Sequence, residues 1–220
     1  MSAYFLTRIA DDWDSFNLAG LQYCLRQAYE LTDALSNPDR NAHFATPNRH
    51  MIAGTMRWGF VEKCLHDGCL NGRLRGIQPR WVPLSSKTAS GVHALELVGR
   101  TTCVTPFHLT DADEAPRESS HRAEKRLFNQ LNPLLPTFAD EQVDTISLLN
   151  LILVHGDKNA EFAFLRAYHD PEERGAFVPV SDNIMLSTAL VSQPVEAEEV
   201  AEAEIKLQPA AHKAALQSDS

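Results

Sequence analysis

A histidine, a carboxylate and an amine fall within four residues at His155-Gly156-Asp157-Lys158. General acid–base chemistry wants a histidine that titrates near neutral pH and is oriented by a carboxylate. Lys158 could steady negative charge developing beside it. Taken as catalytic residues, His155, Asp157 and Lys158 describe a hydrolase acting on phosphoesters. The competing meaning is structural. A polar, Gly-containing stretch between two β-type runs is also what a hairpin turn needs, and most such turns are not catalytic.

A second set is basic. Arg49, Ala53 and Arg57 stand at i, i+4 and i+8, so a helix here puts both guanidinium groups on one face. Further on, Arg122 and Arg126 repeat that spacing, and Asn129 and Gln130 continue the same stretch with amide groups. Arginine's planar fork matches phosphate and carboxylate, and amides add hydrogen bonds to either. Glu118 lies four residues before Arg122, so the same charges also suit a salt-bridged, solvated helix face. The reading that organises the most residues is a regulatory or binding protein. It would hold an anionic partner, a nucleotide or a nucleic acid, on Arg49, Arg57, Arg122, Arg126, Asn129 and Gln130.

Metal chemistry draws less support. Cys64-x-His66-x-x-Cys69 has a zinc-like look. However, five residues of helix turn the side chain through about 500°, which puts the two thiols on different faces. No second ligand pair sits nearby in the sequence. Glu96, Asp111, Asp113, Glu124 and Asp144 include enough acids for a nuclease site, but their spacing selects no pair. Gly-rich phosphate loops, GxGxxG, GxSxG and HExxH are all absent. Neither a metal nor a cofactor is expected.

These residues need elements to hold them. Residues 146–154 are apolar on both faces and 161–168 alternate, with a polar turn between, which predicts a hairpin at the centre of the fold. In its second strand Phe162, Phe164, Arg166 and Tyr168 share one face, and Ala163, Leu165 and Ala167 the other. A third short run, 176–180, extends it into a meander. Upstream, residues 1–10 read as an edge strand. Asp11 or Asp12 would cap a helix carrying Trp13, Leu21, Cys24, Leu25, Ala28, Leu31 and Leu35 on one face. Thr46-Pro47 opens a second helix that runs to Gly68. Its apolar side is Ile52, Met56, Phe60 and Cys64, widened by Trp58, Val61 and Leu65. Residues 80–84, flanked by prolines, suit a sheet edge. Residues 92–98 and 101–109 pivot at Gly99-Arg100, and 116–131 reads as the helix that carries Arg122.

The expected class is therefore α+β: an N-terminal helical layer on an antiparallel sheet, in one domain over residues 1–191. Apolar residues make up 44% of the 220, enough for a sizeable core. Net charge is −9, so any nucleic-acid contact would have to be a local basic patch. Residues 192–220 hold six acids and two lysines with much alanine, and read as an acidic, disordered tail. No run approaches a membrane span or a secretory leader, and four dispersed cysteines suit a reducing cytoplasm. A third possibility is a subunit of a larger assembly, with apolar surface covered by protein partners.

Overall fold

A computed structural model describes residues 3–39, 41, 46–83, 93–114, 116, 122–123, 125, 129, 148–168 and 177–186. Helix α1 is Ala3–Asp12, α2 Ser15–Ser36 and α3 Arg49–Leu70. Strands β1 (Gln78–Pro83), β2 (His93–Val98), β3 (Thr102–His108), β4 (Leu149–His155), β5 (Ala163–Tyr168) and β6 (Phe177–Pro179) form one six-stranded sheet in chain order. The fold is α+β, with α1, α2 and α3 on one face of the sheet. The expected tail, 192–220, lies outside the described residues.

Several expectations need correction. α3 opens after Asn48 rather than at Thr46-Pro47, and it runs on to Leu70. Residues 3–12 are helical, not an edge strand. Arg8, Ile9, Asp12 and Trp13 are buried while Thr7, Ala10 and Asp11 are exposed, a rhythm of three to four residues that a helix gives and the strict alternation of a strand does not. Asp12 does not cap α2. Asp14 does, its side chain accepting from Asn17 N at 2.8 Å. Asp12 is instead buried and accepts from the amides of Arg100, Thr101 and Thr102 and from both threonine hydroxyls, at 2.8–2.9 Å. One carboxylate thereby fixes the whole β2–β3 turn, so α1 is tied to the sheet by polar bonds at its last residue.

The sheet is mixed rather than antiparallel throughout. Four neighbouring pairs are antiparallel, but β3 and β4 run parallel, with His108 beside His155. Parallel neighbours need a crossover of a dozen or more residues, and the stretch between β3 and β4 supplies it. β4 is buried at all seven positions. Its Leu149, Leu151 and Leu153 join α2 and α3 in the main core, together with Ala163, Leu165 and Ala167 of β5. Ile152, Val154 and Phe162 form a second core on the other face.

β2 and β3 pair only at Leu97–Val104 and Val98–Cys103. Continuing that register puts Pro106 opposite Leu95, and proline has no N–H to give. The strands separate there, and the freed Leu95 amide donates to the buried carboxyl of Glu62 on α3 at 3.2 Å. The outer borders use proline differently. Gly99 N bonds Thr102 O, which sets the odd-numbered groups of β2 toward β3 and the even ones toward β1. Pro79 and Pro83 then fall at the positions of β1 that face outward. On the far border Val180 N bonds Leu165 O, which turns Pro179 of β6 outward as well.

Candidate functional site

The carboxyl ends of the parallel pair bring the most polar groups together. β3 ends in His108 and β4 in His155, and their rings meet edge-on at 5.6 Å. His155 Nδ1 donates to Gly156 O at 3.0 Å, and the Tyr29 hydroxyl of α2 lies 3.2 Å from the same nitrogen. His108 Nε2 accepts from Arg57 of α3 at 2.9 Å. The other terminal nitrogen of Arg57 reaches Asp157 at 3.0 Å. One chain of contacts, polar except for the ring packing of His108 on His155, thus runs Asp157–Arg57–His108–His155–Tyr29 and joins the β4–β5 loop to α3, both parallel strands and α2.

The turn itself is built by Asp157. Its carboxylate accepts from Asn159 N at 2.8 Å and Ala160 N at 3.1 Å while holding Arg57. Gly156 is needed for space and not for a positive φ. A Cβ there would lie 2.0 Å from Ala160 O, whereas the positive-φ glycines among the described residues are Gly72 and Gly76.

In front of this wall is a cavity of about 260 Å³. α2 contributes Tyr29, Thr32, Asp33 and Ser36. The first turns of α3 contribute Arg49, His50, Ala53 and Arg57, and the loop gives Asp157, Lys158 and Asn159. Lys158 is half exposed and bonds Asp33 at 2.6 Å. Among the described residues the Arg49 guanidinium forms no ion pair. Asn48 caps α3 without a side-chain hydrogen bond, and the amides of Arg49 and Met51 give instead to Thr46 O and Asn48 O at 3.2 and 3.1 Å; the positive end of the helix dipole lies at this turn.

Burial decides what these groups can do. His155 is enclosed, and that pushes its imidazole down to about 3, with Gly156 O opposing and His108 and Arg57 adding to the fall. His108 is also held below its ordinary value, first by burial and then by Arg57. Tyr29 is pushed upward by burial and by Asp157. The interior side of the chain is therefore neutral and hydrogen-bonded. His155 is not among the residues lining the cavity, and Asp157 is occupied by its own turn and Arg57. What the cavity offers a solute is donors: Arg49, the free side of Arg57, Lys158, Asn159 and the hydroxyl of Ser36, the Thr32 hydroxyl being given to Ala28 O at 2.8 Å.

The residues singled out in the sequence separate into two places. Arg49 and Arg57 share the cavity with Ala53 and with Asp157 and Lys158. Arg122 lies across the sheet, because Phe107 and His108 point to opposite faces. Its guanidinium stacks over Phe107 at 4.5 Å, while Arg57 meets His108. Asn129 is buried and bonds the backbone of Asn150 at 2.7 Å in both directions, fastening the start of β4. Arg126 and Gln130 lie outside the described residues. Of the zinc-like set, Cys64 sits in the core and His66 stacks on Trp81 at 5.9 Å.

Sequence reasoning missed His108, Tyr29 and Asp33. His108 carries no signal of its own, because only the parallel register places it beside His155. Tyr29, Thr32, Asp33 and Ser36 did carry one. They stand at i, i+3, i+4 and i+7, a polar row at the end of α2. The apolar row favoured instead, Leu31 and Leu35, is 39% and 41% exposed.

Comparison with protein-family models, curated proteins and solved structures finds no match to this chain. Among the described residues no helix is long and apolar enough to cross a membrane.

Proposed function

We propose that this protein binds a small phosphate- or carboxylate-bearing solute in the cavity between α2, α3 and the β4–β5 loop, as a regulatory or binding protein of a reducing, cytoplasmic compartment. The observation that carries this reading is Arg49: an exposed guanidinium, without an ion pair among the described residues, facing the same small cavity as Arg57 and Lys158. Arg57 and Lys158 are answered by Asp157 and Asp33. Arg49 leaves the lining with one positive charge in excess, on a chain whose net charge is −9. A concave, donor-rich site of this size favours a small anion over a nucleic-acid strand, which needs an extended basic strip. The four free thiols suit the compartment.

Calorimetric titration with pyrophosphate, AMP and ATP at low salt tests the reading. At least one should bind. Arg49→Glu should weaken it by roughly tenfold or more, since charge-assisted bonds contribute about 1.5–3 kcal/mol. Lys63→Gln, away from the cavity on α3, should leave it unchanged. Failure of all three anions to bind, or equal binding by Arg49→Glu, overturns the proposal.

A further inference from the structure

We infer that the acidic stretch Glu196–Glu204 of the same chain is an occupant of this cavity, a ligand in cis that competes with soluble anions. The inference rests on the anion-binding reading and adds the regulation of that site.

Three observations carry it. The first is charge. Glu196, Glu198, Glu199, Glu202 and Glu204 fall within nine residues with no basic residue among them. The cavity is the place where the described chain gathers Arg49, His50, Arg57 and Lys158.

The second is reach. The last described residues form a 3-10 turn, Ile184–Leu186. Met185 O accepts from Gln22 at 3.1 Å and from Arg26 at 3.3 Å, so this turn is fastened to the middle of α2. The same helix carries Asp33 into the cavity. At the rise of an α-helix, Arg26 and Asp33 are about 10 Å apart along the axis. Residues 187–195 extend to roughly 30 Å, so the tether spans this distance with slack.

The third is the apolar company. Val195, Val200 and Ile205 are interleaved with the glutamates. Met51 and Ile52, beside the Arg49–Ala53–Arg57 row on α3, are exposed. A segment carrying both kinds of side chain fits a rim that has both. Tethering supplies the rest: covalent attachment within reach of the site gives an effective concentration of about a millimolar or more, so a contact too weak to hold a free peptide is populated in cis.

The test compares two full-length chains, the wild type and one carrying Glu→Gln at 196, 198, 199, 202 and 204, by amide NMR at low salt. The resonances of residues 49–57 and 157–159 should differ between the chains. That difference should collapse near 0.5 M salt, where the screening length falls to about 4 Å, and should vanish when both chains carry Arg49→Glu. Spectra that superimpose at those residues overturn the inference. So does a difference that grows as the protein is concentrated, since that would be the stretch of a second copy. Pyrophosphate titration separates this failure from failure of the parent reading. The glutamine chain should bind pyrophosphate roughly tenfold more tightly, once the tethered competitor is removed. Equal binding by both chains overturns the cis contact and leaves the anion site standing. Binding by neither, with the amide differences present, overturns the site for soluble anions and leaves the cis contact.

Discussion

Two buried side chains pull this protein's answer to acid in opposite directions. His155 is held down to about 3 by burial. The unfolded chain therefore takes up a proton near 6.5 that the fold refuses. Its contribution to stability is full above about 6.5 and is lost progressively as pH falls toward 3. Glu62 is raised above the ordinary glutamate value, first by burial, with Leu95 N and Trp58 opposing. The fold prefers it protonated, so its penalty is absent below the usual carboxyl range and appears as pH rises through the raised value. His155 is the larger perturbation, and the wild type should lose stability steadily from about pH 6.5 downward. Glu62→Gln keeps an acceptor for Leu95 and removes the penalty. It should be more stable than wild type at pH 7, and the gap should close in acid. Urea midpoints across pH 7.5–4 check both. A flat wild-type profile, with His155 ring signals showing imidazolium at pH 5, would refute the account of His155.

At the scale of elements, the position of α2 rests on close approach. A Cβ on Gly20 would lie 2.2 Å from Arg73 O, in the connection that leads from α3 to β1. Helix propensity alone says that Gly20→Ala should stabilise by about 1 kcal/mol. A backbone oxygen cannot swing aside as a side chain can, and overpacking of this kind costs typically 1–3 kcal/mol or more. The clash wins, so Gly20→Ala should lower stability by about 1 kcal/mol or more, measured by thermal or urea unfolding. A stabilised variant would mean that α2 sits further from the loop than described. This contact also marks where sequence reading stops. The β4–β5 hairpin, the Gly99-Arg100 pivot, the proline-flanked edge and the two long helices were all legible, because each depends on local periodicity and turn chemistry. Residues 1–10 pointed to a strand because a short apolar lead-in has no period of its own. The parallel pairing of β3 with β4 was illegible, since nothing in either strand says which way its neighbour runs. His108 was hidden for that reason. Arg49 and Arg57 were visible as a pair by spacing. That they share a wall with Asp157, and that Arg122 stands behind the sheet, follows only from topology.

For the whole molecule, residues 192–220 hold a net −4 of the −9, from six acids and two lysines. They offer little apolar area to offset the entropy of ordering them. A chain ending at Val191 should keep its cooperative melt and its Tm to within a few degrees by calorimetry. A larger loss would mean that these residues belong to the core, and would refute the single-domain boundary. The sheet's borders have a different consequence. Where a border would donate to an incoming strand, β1 offers Trp81 between two prolines and β6 offers Phe177 beside one. Recognition by adding a strand needs a run of such donors, and so does the stacking of sheets into fibrils. A peptide seeking to lengthen this sheet finds its ladder interrupted at every second rung. At these two described borders, strand addition is disfavoured for a partner peptide and for a misfolded copy alike.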